Sequence, residues 1–110
     1  MYKLTDYEDK SERVRTAMVL DDTEESAGVI SRQIVDGFLN DDHFCKMTRI
    51  ELDGLDESLC ARGINATDSL RGEIRSIYKR RLRDELARAG FKDIGEIKHN
   101  GELWFRFFSY

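Results

Sequence analysis

Four cations recur at intervals of four residues in the C-terminal half of the chain: Arg71, Arg75, Lys79 and Arg83. On a helix this spacing stacks side chains into one ridge. A row of cations follows a phosphate backbone, and arginine can also donate two hydrogen bonds to a guanine edge in the major groove. The row overlaps "SIYKRRLRDELARAG", Ser76 to Gly90, in a chain whose net charge is -4. Arg80 and Arg81 add charge on other faces, and the acids Glu73, Asp84 and Glu85 fall outside the ridge. The competing reading is a solvated helix face balanced by pairs such as Asp84 with Arg88.

Other residues invite chemistry with less support. Lys98, His99 and Asn100 form a basic, polar tip suited to phosphate contact, or an ordinary surface turn. Trp104, Phe105, Phe107 and Phe108 are rings on which bases can stack. Alternation assigns Phe105 and Phe107 to a core and Trp104 to the opposite face, as an exposed or interface aromatic. His43, Cys45, Cys60 and His99 do not match a zinc spacing; buried free thiols and surface histidines are the expectation, with no metal. "EIK", Glu96 to Lys98, resembles half of a metal-dependent nuclease motif. It lacks an aspartate on an earlier strand, and Asp93 is too near. With no glycine-rich phosphate loop and no Ser/His/Asp spacing, no enzyme activity and no cofactor are expected.

The elements that must position these residues follow from periodicity. "RVRTAMVL", Arg13 to Leu20, has a period of two at Val14, Thr16, Met18 and Leu20, which predicts a strand or pairing arm. Asp22 or Thr23 caps a first helix over 24–39, with Ala27, Ile30, Ile34 and Phe38 at spacings of three or four. "DDHFCKM" reads as a turn and a short extended piece. Thr48 and Glu51 form a capping box for a second helix with Leu52, Leu55 and Leu59 on one stripe. Gly63 is the left-handed stop, and Asn65, Thr67 or Asp68 caps a third helix over 69–89. Leu70, Ile74, Tyr78, Leu82 and Leu86 form its apolar ridge, with Ile77 beside them, and Gly90 ends it. Asn100–Gly101 is a hairpin signal between strands at 94–99 and 102–108. The expected core is Ile30, Ile34, Phe38, Leu52, Leu55, Leu59, Ile74, Ile77, Tyr78, Leu82 and Phe105.

This order of helix, short strand, helix, turn, helix and hairpin resembles the winged helix-turn-helix family. The carrying residues are "TRIELDGLDESLCARGINATDSLRGEI" for the two helices and turn and "GEIKHNGELWFRF" for the wing, within 24–108. The implied fold is α+β: three helices, a C-terminal β-hairpin wing and an extra N-terminal strand or arm. Residues 1–22 are the arm and 23–110 a single compact winged-helix domain. The resemblance implies sequence-specific binding of double-stranded DNA in transcriptional or replication regulation. Arg71 and Arg75 would lie nearest base edges, Lys79 and Arg83 on phosphate, with Lys98 and His99 supporting from the wing. A third helix of about twenty residues departs from the family, leaving its C-terminal half for packing or a partner.

Composition sets the frame. The chain has 110 residues, enough for one core. Residues 1–69 carry 16 acids and 8 bases, and residues 70–110 carry 6 acids and 10 bases. The absence of a long apolar run or of a basic-then-apolar start predicts a cytoplasmic protein without a membrane partner. A homodimer paired through the N-terminal segment would suit a palindromic site. The alternative is a small protein-interaction module, or a phage or mobile-element inhibitor. Its acidic surface around Asp21, Asp22, Glu24, Glu25, Asp36, Asp41 and Asp42 would occupy a nucleic-acid-handling protein without DNA.

Overall fold

The computed structural model describes residues 4–50, 52, 54–99 and 102–109, with the side chains of 4–11, 99 and 103 outside that description. Three helices and a three-stranded antiparallel sheet follow in the order α1 (Leu4–Phe38), β1 (Cys45–Arg49), α2 (Leu55–Ala61), α3 (Asp68–Arg88), β2 (Lys92–His99) and β3 (Glu102–Phe108). The sheet order is β1-β3-β2. No helix among the described residues is long and apolar enough to cross a membrane.

The expected N-terminal strand or arm is instead the first half of a 35-residue helix, α1, which runs unbroken through positions 22 and 23. Val19 decides the matter. It is 4% exposed, while Val14 and Met18 stay more than half exposed. A strand would have put Val14, Met18 and Leu20 on one face. The helix buries Val19 in a cluster with Leu59, Ile64, Leu70 and Ile74, with half-buried Leu20 packed at its margin.

A second cluster joins Val35, Leu82, Leu86, Phe105 and Phe107. Val19 therefore meets the start of α3 and Val35 its end, so α1 and α3 lie side by side and run the same way. Close approach is possible because α1 turns small residues inward: Ala27 and Ser31 are buried, as is Gly28. A Cβ added at Gly28 would run into the Arg81 guanidinium, which lies over that spot.

The second helix starts later than the Thr48–Glu51 pattern implied. Thr48 lies in β1 opposite Phe105, and Glu51 is outside the described residues. Gly54, expected within the helix, instead precedes it with φ 78°. Such a left-handed residue breaks the helical run that the leucine stripe suggested. The stop at Gly63 (φ 73°) is as expected. There Ile64 N–H donates to Leu59 O at 3.0 Å, returning Ile64 to the core. Thr67 caps α3 by accepting from Leu70 N–H at 3.1 Å.

The hairpin strands are present, and His99 pairs with Glu102. Asn100–Gly101 lies outside the described residues. Of the expected core, Leu59, Ile74, Leu82 and Phe105 are buried, whereas Ile30 is 41% exposed. Ile34, Phe38, Leu52, Leu55, Ile77 and Tyr78 are half-buried. The expected buried thiols are corrected as well: Cys45 and Cys60 are free and exposed.

Candidate nucleic-acid interface

The cationic ridge exists as a ridge, because α3 is continuous from Asp68 to Arg88 and its apolar ridge packs on α1. Most of its charge, however, is engaged within the molecule. Arg71 donates from Nε to Asp56 Oδ1 at 2.9 Å and from Nη1 to Asp68 Oδ1 at 2.6 Å. A further bond from Nη2 reaches Asp56 Oδ2 at 3.3 Å. The hydrogen bonds to Asp56 hold the Arg71 pKa above its ordinary value. This fork ties the start of α3 to α2.

Lys79 and Arg83 converge on one carboxylate, Glu96 of β2, at 3.4 Å and 3.6 Å. Arg83 also sits over the Phe105 ring. The neighbouring bases turn elsewhere. Arg80 pairs with Glu24 of α1, Arg81 covers Gly28, and Arg88 reaches Glu85 at 3.3 Å. Of the bases of Ser76–Gly90, Arg80 and Arg81 thus face α1 and Lys79 and Arg83 face β2, while Arg88 pairs within α3.

Arg75 is the exception. It is exposed and has no acidic partner among the described residues. With Arg71 it lines a shallow groove of ≈ 310 Å³ between α2 and α3, whose other wall carries Asp56 and Glu57. Lys98 is also exposed. By strand alternation it shares a face of β2 with Glu96, two residues nearer the end of the strand. The backbone of His99 lies in β2, and its side chain is outside the described residues.

The sequence reading missed Glu96 as a partner of the ridge. The signal was available: a strand that returns from a helix through a tight turn at Gly90–Phe91 must run back along it. Its inward acids then face the helix. The second omission was Asp56, the first-turn acid of α2. Among the described residues no cluster of three or more histidine, cysteine or acidic side chains is placed to hold a metal. Glu96 is committed to two cations.

In comparisons with family models, curated proteins and solved structures, nothing matches this chain.

Proposed function

We propose that the protein is a winged helix-turn-helix module that binds double-stranded DNA through the outer edge of α3 and the β2–β3 hairpin. The observation that carries this reading is Arg75: an exposed arginine within a four-cation ridge, with no acidic partner among the described residues. The element order and the β1-β3-β2 sheet support it, since they set the hairpin beside α3. Arg75 reaches base edges, and Lys98 supports it from the wing.

The ion pairs on the ridge do not forbid this. Exposed pairs are worth about 0–1 kcal/mol each, so a phosphate can replace a carboxylate at Lys79 or Arg83. They do lower the expected affinity, because Glu96 and Asp56 keep negative charge beside the path of the DNA. Binding is therefore weak at moderate salt and strongest at low salt. An electrophoretic shift on random duplex DNA at two salt concentrations tests it.

A second reading rests on that same internal pairing. Three of the four ridge cations already have acidic partners, as a protein-interaction module without DNA would have. Absence of any duplex shift at low salt selects it.

A further inference from the structure

The face of the sheet turned away from the helices has a composition that the α3 reading leaves unused. Phe105 and Phe107 of β3 point inward and are fully buried. Trp104, Arg106 and Phe108 therefore lie on the opposite face at intervals of about 7 Å, Arg106 exposed and the two rings half-buried. Register places Cys45, Met47 and Arg49 of β1 beside them on one flank. Lys92, Gly95 and Ile97 of β2 lie on the other. Phe44, 55% exposed, adds a further ring 5.3 Å from that of Phe108. The Arg106 guanidinium lies 5.8 Å from the Phe108 ring.

The charge of this face runs against that of the molecule. Arg106 and Lys92 are exposed on a chain of net charge -4. The acids described near the face are Glu102, already held by Arg49 at 2.9 Å, and Asp93 in the bulge of β2. A face of rings interleaved with cations fits a ligand that is both planar-aromatic and anionic along its length. A duplex hides its base faces, and a single strand offers them. A second copy packed face to face would set Arg106 and Lys92 against their own charge, with only Asp93 and the Arg49-held Glu102 to answer them.

We infer that this outer face binds single-stranded nucleic acid, its bases stacking on Phe108, Trp104 and Phe44 and its phosphates meeting Arg106 and Lys92. The inference is independent of duplex binding by α3, which uses the other side of the sheet. Trp104 is the single tryptophan of the chain, so its fluorescence reports on this face alone.

The test titrates the full chain with dT15, with rU15 and with a 15-base-pair duplex, at low and moderate salt. The expected result is saturable quenching of Trp104 by a single strand, weakened by salt. The dT15 and rU15 arms tell DNA from RNA. Phe108→Ala should weaken binding about tenfold, as loss of one stacked base would. Should Phe108→Ala unfold, Arg106→Glu keeps the test open: it is exposed, and it should abolish quenching while leaving any duplex binding unchanged. No quenching by either strand at low salt overturns the inference, as does quenching that Arg106→Glu does not alter. A blue shift of Trp104 that grows with protein concentration alone, without quenching by a strand, assigns the face to a second copy and also overturns it.

Discussion

Lys79 of α3 and Glu96 of β2 face each other at 3.4 Å, and the same carboxylate lies 3.6 Å from Arg83. One acid thus fastens the hairpin to the helix and masks two cations of the ridge. Glu96→Gln should lower stability by less than about 1 kcal/mol, since both pairs are partly exposed. The same change should tighten duplex binding and steepen its salt dependence by about one unit of log–log slope per cation freed. Urea denaturation and anisotropy of a labelled duplex read the two effects separately.

Leu59 is 1% exposed and lies where α1, α2 and α3 meet. Leu59→Ala should cost about 2–5 kcal/mol, by lost burial and the cavity left behind. Leu55 is half-buried at the margin of the same cluster, so Leu55→Ala should cost less. The order of the two urea midpoints checks the placement of α2.

Lys46 is a buried lysine, 3% exposed. Its ammonium donates to His43 O and to Ser109 Oγ at 2.6 Å, and it lies 5.8 Å from the centre of the Phe91 ring. It closes the end of the sheet by joining the turn before β1 to the residue after β3. Lys46→Ala should cost about 1–3 kcal/mol, because it removes a buried stem and two charge-assisted hydrogen bonds. Comparing thermal midpoints of Lys46→Ala and Lys46→Met isolates the bonds from the packing of the stem.

How much of this was legible in the sequence differs by element. α3 was readable because its ends carry local chemistry: Thr67 caps it and Gly90, with φ 95°, stops it. The strands of the hairpin were readable because Phe105 and Phe107 must share a buried face. The start of α1 was not, since Val14, Thr16, Met18 and Leu20 alternate by accident and Val19 acquires its burial only from α2 and α3. Thr48 shows the converse, a capping pattern overridden by pairing with Phe105. Val35 and Ile64 were missed as core because their burial depends on tertiary contacts. The ridge of Arg71, Arg75, Lys79 and Arg83 was legible as a row. Its partners Glu96 and Asp56 come from other elements, so its internal neutralisation was not.

Asp41 accepts hydrogen bonds from the His43 backbone N–H at 2.8 Å and from its ring Nδ1 at 2.7 Å. The backbone bond is the main cause that holds its carboxyl below the ordinary value of 3.8, followed by the ring bond. A depressed folded pKa means that the stabilising contribution is complete above the unfolded value and is lost as pH falls through the folded one. An acid titration by NMR that follows the Asp41 side-chain carboxyl carbon should place its transition below the ordinary value of 3.8. Asp41→Asn should remove that transition.

The proposed contact of α3 with duplex DNA through Arg75 is measured by anisotropy of a labelled random duplex against salt, for the unmodified protein and Arg75→Glu. Arg75 has no acidic partner among the described residues, so the substitution breaks no ion pair among them, and circular dichroism checks that the fold is kept. Binding is expected at low salt and should weaken linearly in log–log form, with Arg75→Glu lowering affinity about tenfold or more and reducing the slope by about one. A folded protein that leaves the duplex unbound at low salt, or an Arg75→Glu variant that binds as tightly as the unmodified chain, would contradict it.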